Sequence, residues 1–512
     1  MINAVKREIP EYIEGYGKVK PFMGAYANYG EVRKVSTKLK SVKPGENKIL
    51  SSIKEALLKC DIKDGMTVSF HHHLRNGDYV LNMVLEEIAK LGVKDITVAA
   101  SSIFPCHAPL VEHIKNGVVT RIYANYMSGP VAEAVSKGLL KYPAIMHTHG
   151  GRARAIESGD LHIDIAFIAA PTCDSYGNIN GVEGKSACGS LGYAIPDAMY
   201  ADKVVAVTDN LVDYPACPIE ISQEYVDYIV KVDEIGDPKG IVSGTTRITK
   251  DPVGLKIAKL AAQLIDESGL LKDGFSFQTG AGGTSLAVAA YVKDIMKRKN
   301  IKGSFAAGGI TGYIVEMFEE GLFKALFDVQ CFDLKAVESY KNNRAHQGMS
   351  ASMYGNPHNK GAVVNNLDVM ILGATEIDTD FNVNVTTGSN GIIMGGSGGH
   401  SDTAAGSKLS IVVTQLTKAR LPIIVDKVTT VTTPGETIDA VVTERGIAIN
   451  PRRTDLLEKL KDSNLPIYTI EELKAMAEKL TGIPEKIEFA DKIVAIVEYR
   501  DGSVIDVVRQ VR

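Results

Sequence analysis

Short, almost wholly apolar runs alternate with stretches whose apolar residues recur three and four positions apart, from about residue 51 to the end of the chain. The spacing predicts helices over 51–58, 80–91 and 110–116, and strands over 66–70, 96–100, 163–169 and 204–207. In 80–91 the apolar residues fall at 80, 81, 84, 85 and 88, one face of a helix. The run 163–169 is apolar apart from Asp164, as a strand covered on both faces must be. Farther on, the same reading predicts helices over 255–267, 286–296 and 314–320, and strands over 275–278, 304–307, 368–372 and 411–413. A helix over 470–480 then precedes a strand pair, 493–499 and 504–508, turned by Arg500-Asp501-Gly502-Ser503. Alternating helix and strand periods predict an α/β fold, a mostly parallel sheet with helices on both faces.

The chain also repeats itself. Lys63-Asp64-Gly65 recurs as Lys272-Asp273-Gly274, each after a helical stretch and before a short apolar run. Val111, Glu112 and Gly117 recur as Val315, Glu316 and Gly321. The separation between those sets also pairs Asp164, Asp174, Asn178 and Asn180 with Asp368, Asp378, Asn382 and Asn384. So long a period is no solenoid. It predicts two homologous, doubly wound lobes from internal duplication, with a site where they face each other. The expected organisation is an N-terminal arm over 1–45, a first lobe over 46–240 and a second over 241–512. The linker is expected within 232–251, where Gly, Pro and Asp accumulate.

Composition changes this picture little. The 512 residues are 45% hydrophobic and 23% charged, with a formal net charge of −4. That balance argues against nucleic acid as a partner. Six scattered cysteines without a CxxC pair read as reduced thiols in the cytoplasm. The first 18 residues lack the apolar core of a signal peptide. No apolar run approaches the ~20 residues of a membrane span, so no membrane association is expected.

In open α/β sheets ligands bind beyond the carboxyl ends of the strands. That rule selects the loops 71–77, 280–284, 308–312, 375–384 and 395–400 among others. Gly280, Gly282, Gly283 and Thr284, then Gly309 and Thr311, then Gly398 and Gly399, make three glycine-rich loops at strand ends of one lobe. Together they form a candidate nest of backbone donors for an anion or a tetrahedral oxyanion. His71-His72-His73 and His147-Thr148-His149 suggest metal at first sight, but no third-ligand pattern accompanies them. An anion pocket fits better, with Arg75, Arg152 and Arg154 nearby in sequence to grip carboxylate. Glu376 is a candidate nucleophile or base, and Asn382 and Asn384 are candidate substrate contacts. The alternative is that all three bond loop backbone. The first copy has Thr172 where Glu376 stands, so the shared Asp and Asn residues read as structural and Glu376 as the distinctive one.

The segments 64–73 (DGMTVSFHHH), 106–113 (CHAPLVEH), 273–280 (DGFSFQTG), 376–384 (EIDTDFNVN), 398–403 (GGHSDT) and 502–507 (GSVIDV) resemble the citrate lyase alpha-subunit family. That family lies within the coenzyme A transferase superfamily. The resemblance runs from about residue 45 to the C-terminus and implies two coenzyme A transferase-type lobes. It implies that citrate replaces acetate on a carrier-protein thioester, with free coenzyme A thioesters as substitutes. It further implies a beta subunit that cleaves citryl thioester, and a small gamma subunit bearing a prosthetic group derived from dephospho-coenzyme A. A homo-oligomer within that complex is expected, with no metal and no cofactor bound by this chain itself. Many related transferases use a glutamate nucleophile. Here the corresponding stretch, 306–311, has no carboxylate, so direct exchange through a mixed anhydride is expected. The resulting assignment places Gly282, Gly283, Gly309 and Glu376 in catalysis. Substrate binding falls to His71, His72, Arg75, Gly280, Thr284, Thr311, Asn382, Asn384, Gly398, Gly399 and His400. The rival readings are a transferase for another small acid, such as citramalate, a metabolite-binding module without turnover, and a metal-dependent hydrolase.

Overall fold

The computed structural model describes residues 1–28, 32–37, 40–242, 247–280, 282–485 and 487–512. Ala281, in the first glycine loop, and residues 243–246, in the expected linker, lie outside the described residues.

Two large sheets dominate the molecule, one of ten strands and one of nine. The core of the first runs Ala144–Met146, Val119–Ala124, Ile96–Ala100, Thr67–Phe70, Ile165–Ala170, Lys203–Thr208 and Tyr228–Lys231, all parallel. The second runs His346–Gly348, Phe323–Cys331, Gly303–Ile310, Ser276–Thr279, Val369–Leu372, Leu409–Val413 and Ala440–Val442, again all parallel. The two cores share one strand order. In each, the order reverses at the earliest core strand, Thr67–Phe70 or Ser276–Thr279. These are the switch points where α/β sheets open a crevice.

The repeated acidic residues do the same work in both lobes. Asp164 accepts from the backbone N–H of Thr67 at 2.7 Å, and Asp368 from that of Ser276 at 2.8 Å. Asp64 and Asp273 each accept from a backbone N–H, of Lys94 and Lys302. Asp174 and Asp378 each gather the N–H groups of the following turn and the amide of Asn178 or Asn382. A carboxylate that gathers several N–H donors orders a turn and has little capacity left for a ligand.

The chain's end departs from the boundary expected at 241–512. The strands Phe489–Glu498 and Val504–Val511 form the expected hairpin, but it joins the first sheet by pairing with Ala144–Met146. The physical reason is the burial of Ile496, Val504 and Val507 against Ile9, Ile13 and Val19 of the N-terminal arm. The arm is thereby fixed on the body, with Val504 N–H bonded to Lys20 O at 2.7 Å. No helix among the described residues is long and apolar enough to cross a membrane.

Candidate active site at the lobe junction

The first switch point delivers His71, His72 and His73 directly after Thr67–Phe70. The ring of His72 stacks on Tyr193 at 4.3 Å and lies 5.6 Å from His149. His149 opens the helix His149–Ser158, whose cap Thr148 accepts from Gly151 N–H. The Asn125 amide nitrogen donates to Nδ1 of His149 at 2.8 Å, which leaves the ring proton on Nε2. That Nε2 meets no partner among the described residues. Burial, then the charge of Arg152, pushes the His149 pKa down to about 3, so the ring is a neutral donor.

The second lobe supplies the opposite wall. Gln278, at the end of its switch-point strand, donates to the Tyr354 hydroxyl at 2.8 Å. A Cβ on Gly308 would stand 2.3 Å from the Gln278 amide, and one on Gly309 would stand 2.2 Å from the Phe332 ring. Only glycine allows these approaches. A Cβ on Gly399 would meet the Tyr354 hydroxyl at 2.3 Å, and one on Gly398 would lie 3.3 Å from His149 Nε2. The lobes are stitched here by Gln330, which donates to His72 O at 2.9 Å, and by His149 N–H, which donates to Gly398 O at 2.8 Å.

Arg75 enters from the first lobe and lays its guanidinium over the Phe332 ring at 4.8 Å and the Phe104 ring at 5.6 Å. Among the described residues its side chain has one acceptor, Ile241 O, at 3.4 Å. No carboxylate stands within ion-pair distance of it among the described residues. Burial pulls its pKa below arginine's ordinary value. The linker holds its loop, since Asp237 N–H bonds Gly77 O at 2.9 Å. Close by in the fold, the buried atoms Gln278 Oε1, Asn125 Oδ1 and Thr311 Oγ1 have no hydrogen-bond partner among the described residues. Buried polar groups are normally paired, so this gathering marks a place built for a polar ligand.

The family model for the alpha subunit of citrate lyase matches residues 46–511. The chain belongs to the citrate lyase alpha-subunit family. It is 52% identical over 467 residues to the citrate lyase alpha chain of Haemophilus influenzae, covering 91% of this chain and 93% of that one. It is 51% identical over 470 residues to the Escherichia coli K12 alpha chain, with 92% of each covered. A Streptococcus mutans structure described as an alpha subunit of citrate lyase in complex with citrate superposes with a TM-score of 0.96 at 54% identity, covering 100% of both chains. The alpha subunit of a malonate decarboxylase from Acinetobacter baumannii, at 16% identity and TM-score 0.63, covers 86% of this chain and 85% of its own. A 4-hydroxybutyrate CoA-transferase from Porphyromonas gingivalis, at 17% identity and TM-score 0.54, covers 84% and 96%. Those last two establish the coenzyme A transferase-type fold. The activity is the family's: exchange of acetate for citrate on a carrier thioester, as a component of citrate lyase.

The family's chemistry does not fall evenly on the residues singled out from sequence. His72, Arg75, Gly309, Gly398 and Gly399 come together at the junction, and Gly280 lies beside them at the switch point, its N–H bonded to Ile371 O. Gly282 caps the helix Gly283–Lys299 without a side-chain cap. Among the described residues, a Cβ placed on it would have Ser285 Oγ as its nearest contact from outside its own turn, at 3.7 Å. Gly282→Val therefore should fold normally and lose exchange activity. Thermal melting compared with the exchange rate checks this, and an unaltered rate removes Gly282 from the site. Gly283 and Thr284 turn instead towards the segment 247–254 of the same chain: a Cβ on Gly283 would meet Arg247 O at 2.8 Å, and Thr284 Oγ1 faces Gly254.

Four of the residues singled out are occupied within the protein. Both oxygens of Glu376 are taken, Oε2 by Asn384 Nδ2 at 2.9 Å and Thr429 N–H at 2.7 Å, Oε1 by the Thr429 hydroxyl at 3.0 Å. Asn384 and Asn382 are consumed within the same small sheet, with Asn382 accepting from Gly435 N–H. His400 uses Nδ1 with the Thr433 hydroxyl and Nε2 with Gly373 O. These four hold the loops in place. His71 Nε2 is taken by the N–H of Ala169 at 2.9 Å, while its buried Nδ1 has no partner among the described residues. Arg152 and Arg154 are buried in ion pairs with Asp197 and Asp160. His149, Tyr193, Gln278 and Tyr354 complete the site, and no local pattern announced them in these roles.

Burial holds the pKa values of His71 and His400 down to about 4. An unfolded histidine binds its proton near 6.5. Between those values the unfolded chain carries more protons, so stability falls as pH drops through that window. By pH 5 the expected loss is about 2 kcal/mol per histidine. Melting temperatures between pH 7.5 and 5 check it, and a His400→Gln variant should show a flatter dependence than its parent.

Proposed function

We propose that this chain exchanges the acyl group directly between two substrates. A citrate carboxylate attacks the acetyl carbonyl of a carrier-borne thioester, and the C–S bond breaks to give a mixed anhydride and a thiolate. The thiolate then attacks the citryl carbonyl of the anhydride, acetate leaves, and citryl thioester remains. The acyl carrier is a small gamma subunit with a coenzyme A-like prosthetic group. A beta subunit cleaves the citryl thioester, and the complex is cytoplasmic and contains several copies of this chain.

The observation that carries this reading is the set of donors without protein partners beside glycine backbone, where the carboxylates are already occupied. Asp402 is bonded to Thr148, Gly150 and Arg500, and Asp328 to His346 and Cys331. With Glu376 also taken, a protein nucleophile has no support from this geometry. His149 Nε2–H and the Gly282 N–H are the oxyanion donors, and each well-placed donor is worth roughly 2.7–4 kcal/mol. Arg75 is suited to grip a remote citrate carboxylate bidentately. The reactants meet in the crevice between two rigid lobes, which makes attack effectively unimolecular.

Intact-mass spectrometry after incubation with acetyl thioester alone tests the route. The expected result is an unmodified chain that forms citryl thioester once citrate is added. An acylated carboxylate that disappears on citrate addition would overturn direct exchange. Failure to form citryl thioester on an acetylated carrier would overturn the function itself.

A further inference from the structure

Beside the catalytic cluster lies a buried charge pair that the exchange chemistry does not use. Asp402 sits on the helix His400–Gly406, immediately after the glycine loop 395–399, and is wholly buried. Its Oδ1 accepts from the Thr148 hydroxyl at 2.8 Å and pairs with Arg500 Nε at 3.3 Å. Its Oδ2 accepts from Gly150 N–H at 2.8 Å. Arg500, in the turn of the terminal hairpin and also wholly buried, donates to Gly355 O at 2.8 Å. The contact is close on every side, since a Cβ on Gly150 would stand 2.0 Å from Gly355 O.

Three separate parts of the molecule therefore meet at one carboxylate: the first residues of the His149 helix, the terminal hairpin, and the second-lobe helix that bears Asp402 directly after the glycine loop. A buried ion pair gains little net stability over an apolar pair of the same volume, because desolvation offsets the attraction. What it does supply is fixed geometry. Here it fixes the segment 148–150 relative to the 398–402 segment, the two pieces that bring His149 Nε2 against Gly398. We infer that Asp402 and Arg500 are positioning residues for acyl exchange, acting through Thr148 to set the placement of His149 at the glycine loop. The inference rests on the reading that His149 faces the reacting carbonyl. It also gives the hairpin's place in the first sheet a consequence at the active site.

Thr148→Val, Thr148→Ser and Asp402→Asn are compared with the parent and with His149→Ala, all in the full chain with its carrier. In Thr148→Val, kcat should fall at least tenfold while KM for citrate and for thioester stays within threefold. Thr148→Ser should restore the parental kcat, because its hydroxyl makes both bonds. Asp402→Asn should lower kcat at least as far as Thr148→Val. If it does not fold, the threonine pair alone decides. A folded Thr148→Val with kcat within threefold of the parent overturns the inference, as does a loss confined to KM or a serine variant no better than valine. If His149→Ala itself leaves kcat unchanged, the reading beneath it fails. If His149→Ala lowers kcat and Thr148→Val does not, only the positioning role falls.

Discussion

Replacing His149 with alanine should lower kcat for acyl exchange by roughly 10²- to 10³-fold, with little change in KM for citrate. The size follows from the worth of one pre-organised donor at a developing oxyanion. His149 has the attributes such a donor needs. Its Nε2 carries the proton because Nδ1 is held by Asn125, and it meets no partner among the described residues. Its pKa, pushed down to about 3, keeps the ring neutral throughout the physiological range. A neutral imidazole stabilises the oxyanion without transferring a full proton, which suits a step whose leaving group is a thiolate. The rate should therefore show no histidine transition between pH 6 and 8 attributable to this ring. Steady-state exchange on acetylated carrier, measured beside the melting temperature, checks the effect. A kcat within threefold of the parent removes His149 from the oxyanion role.

Arg75→Ala should raise KM for citrate roughly tenfold to a hundredfold, since charge-assisted hydrogen bonds are worth about 1.5–3 kcal/mol. The melting temperature should not fall. Among the described residues the Arg75 guanidinium has no carboxylate partner, and burial disfavours its charge. Removing it relieves a cost in the free protein and gives up there only one long hydrogen bond, to Ile241 O at 3.4 Å, besides the partner it withdraws from the ligand. Arg75→Lys should not restore citrate affinity. The planar fork lies against Phe332 and Phe104 at 4.8 and 5.6 Å, a placement that a flexible ammonium does not reproduce. Initial rates over a range of citrate concentrations measure the effect, and an unchanged KM excludes Arg75 from citrate binding.

Each prediction depends on a residue whose place was legible to a different degree. Arg75 lies in the loop that follows the first switch-point strand, and alternating periods were enough to find that strand and its helix. Strands 96–100 and 369–372 and the helices flanking them follow from the same periodicity, because a side buried against a sheet must be apolar along its length. The helix His149–Ser158 escaped. Its buried residues are Gly150, Gly151, Arg152, Ala153, Arg154, Ala155, Ile156 and Ser158, and with glycines and paired arginines among them it carries no clear apolar period.

The chain by itself determined the alternation of strand and helix, the recurrence of Asp-Gly turns and strand-edge aspartates, the glycine loops, and the family. These are local matters: each depends on a residue type and its spacing, and spacing is what a sequence records. Only the tertiary structure decided which polar groups are free. Glu376 and His400 looked like chemistry in a loop, yet their hydrogen bonds are taken by Thr429, Asn384, Thr433 and Gly373. His149, Gln278 and Arg75 became the site because their neighbours in space leave polar atoms without partners. Whether a donor is satisfied depends on groups tens or hundreds of residues away in the chain, and no spacing encodes that.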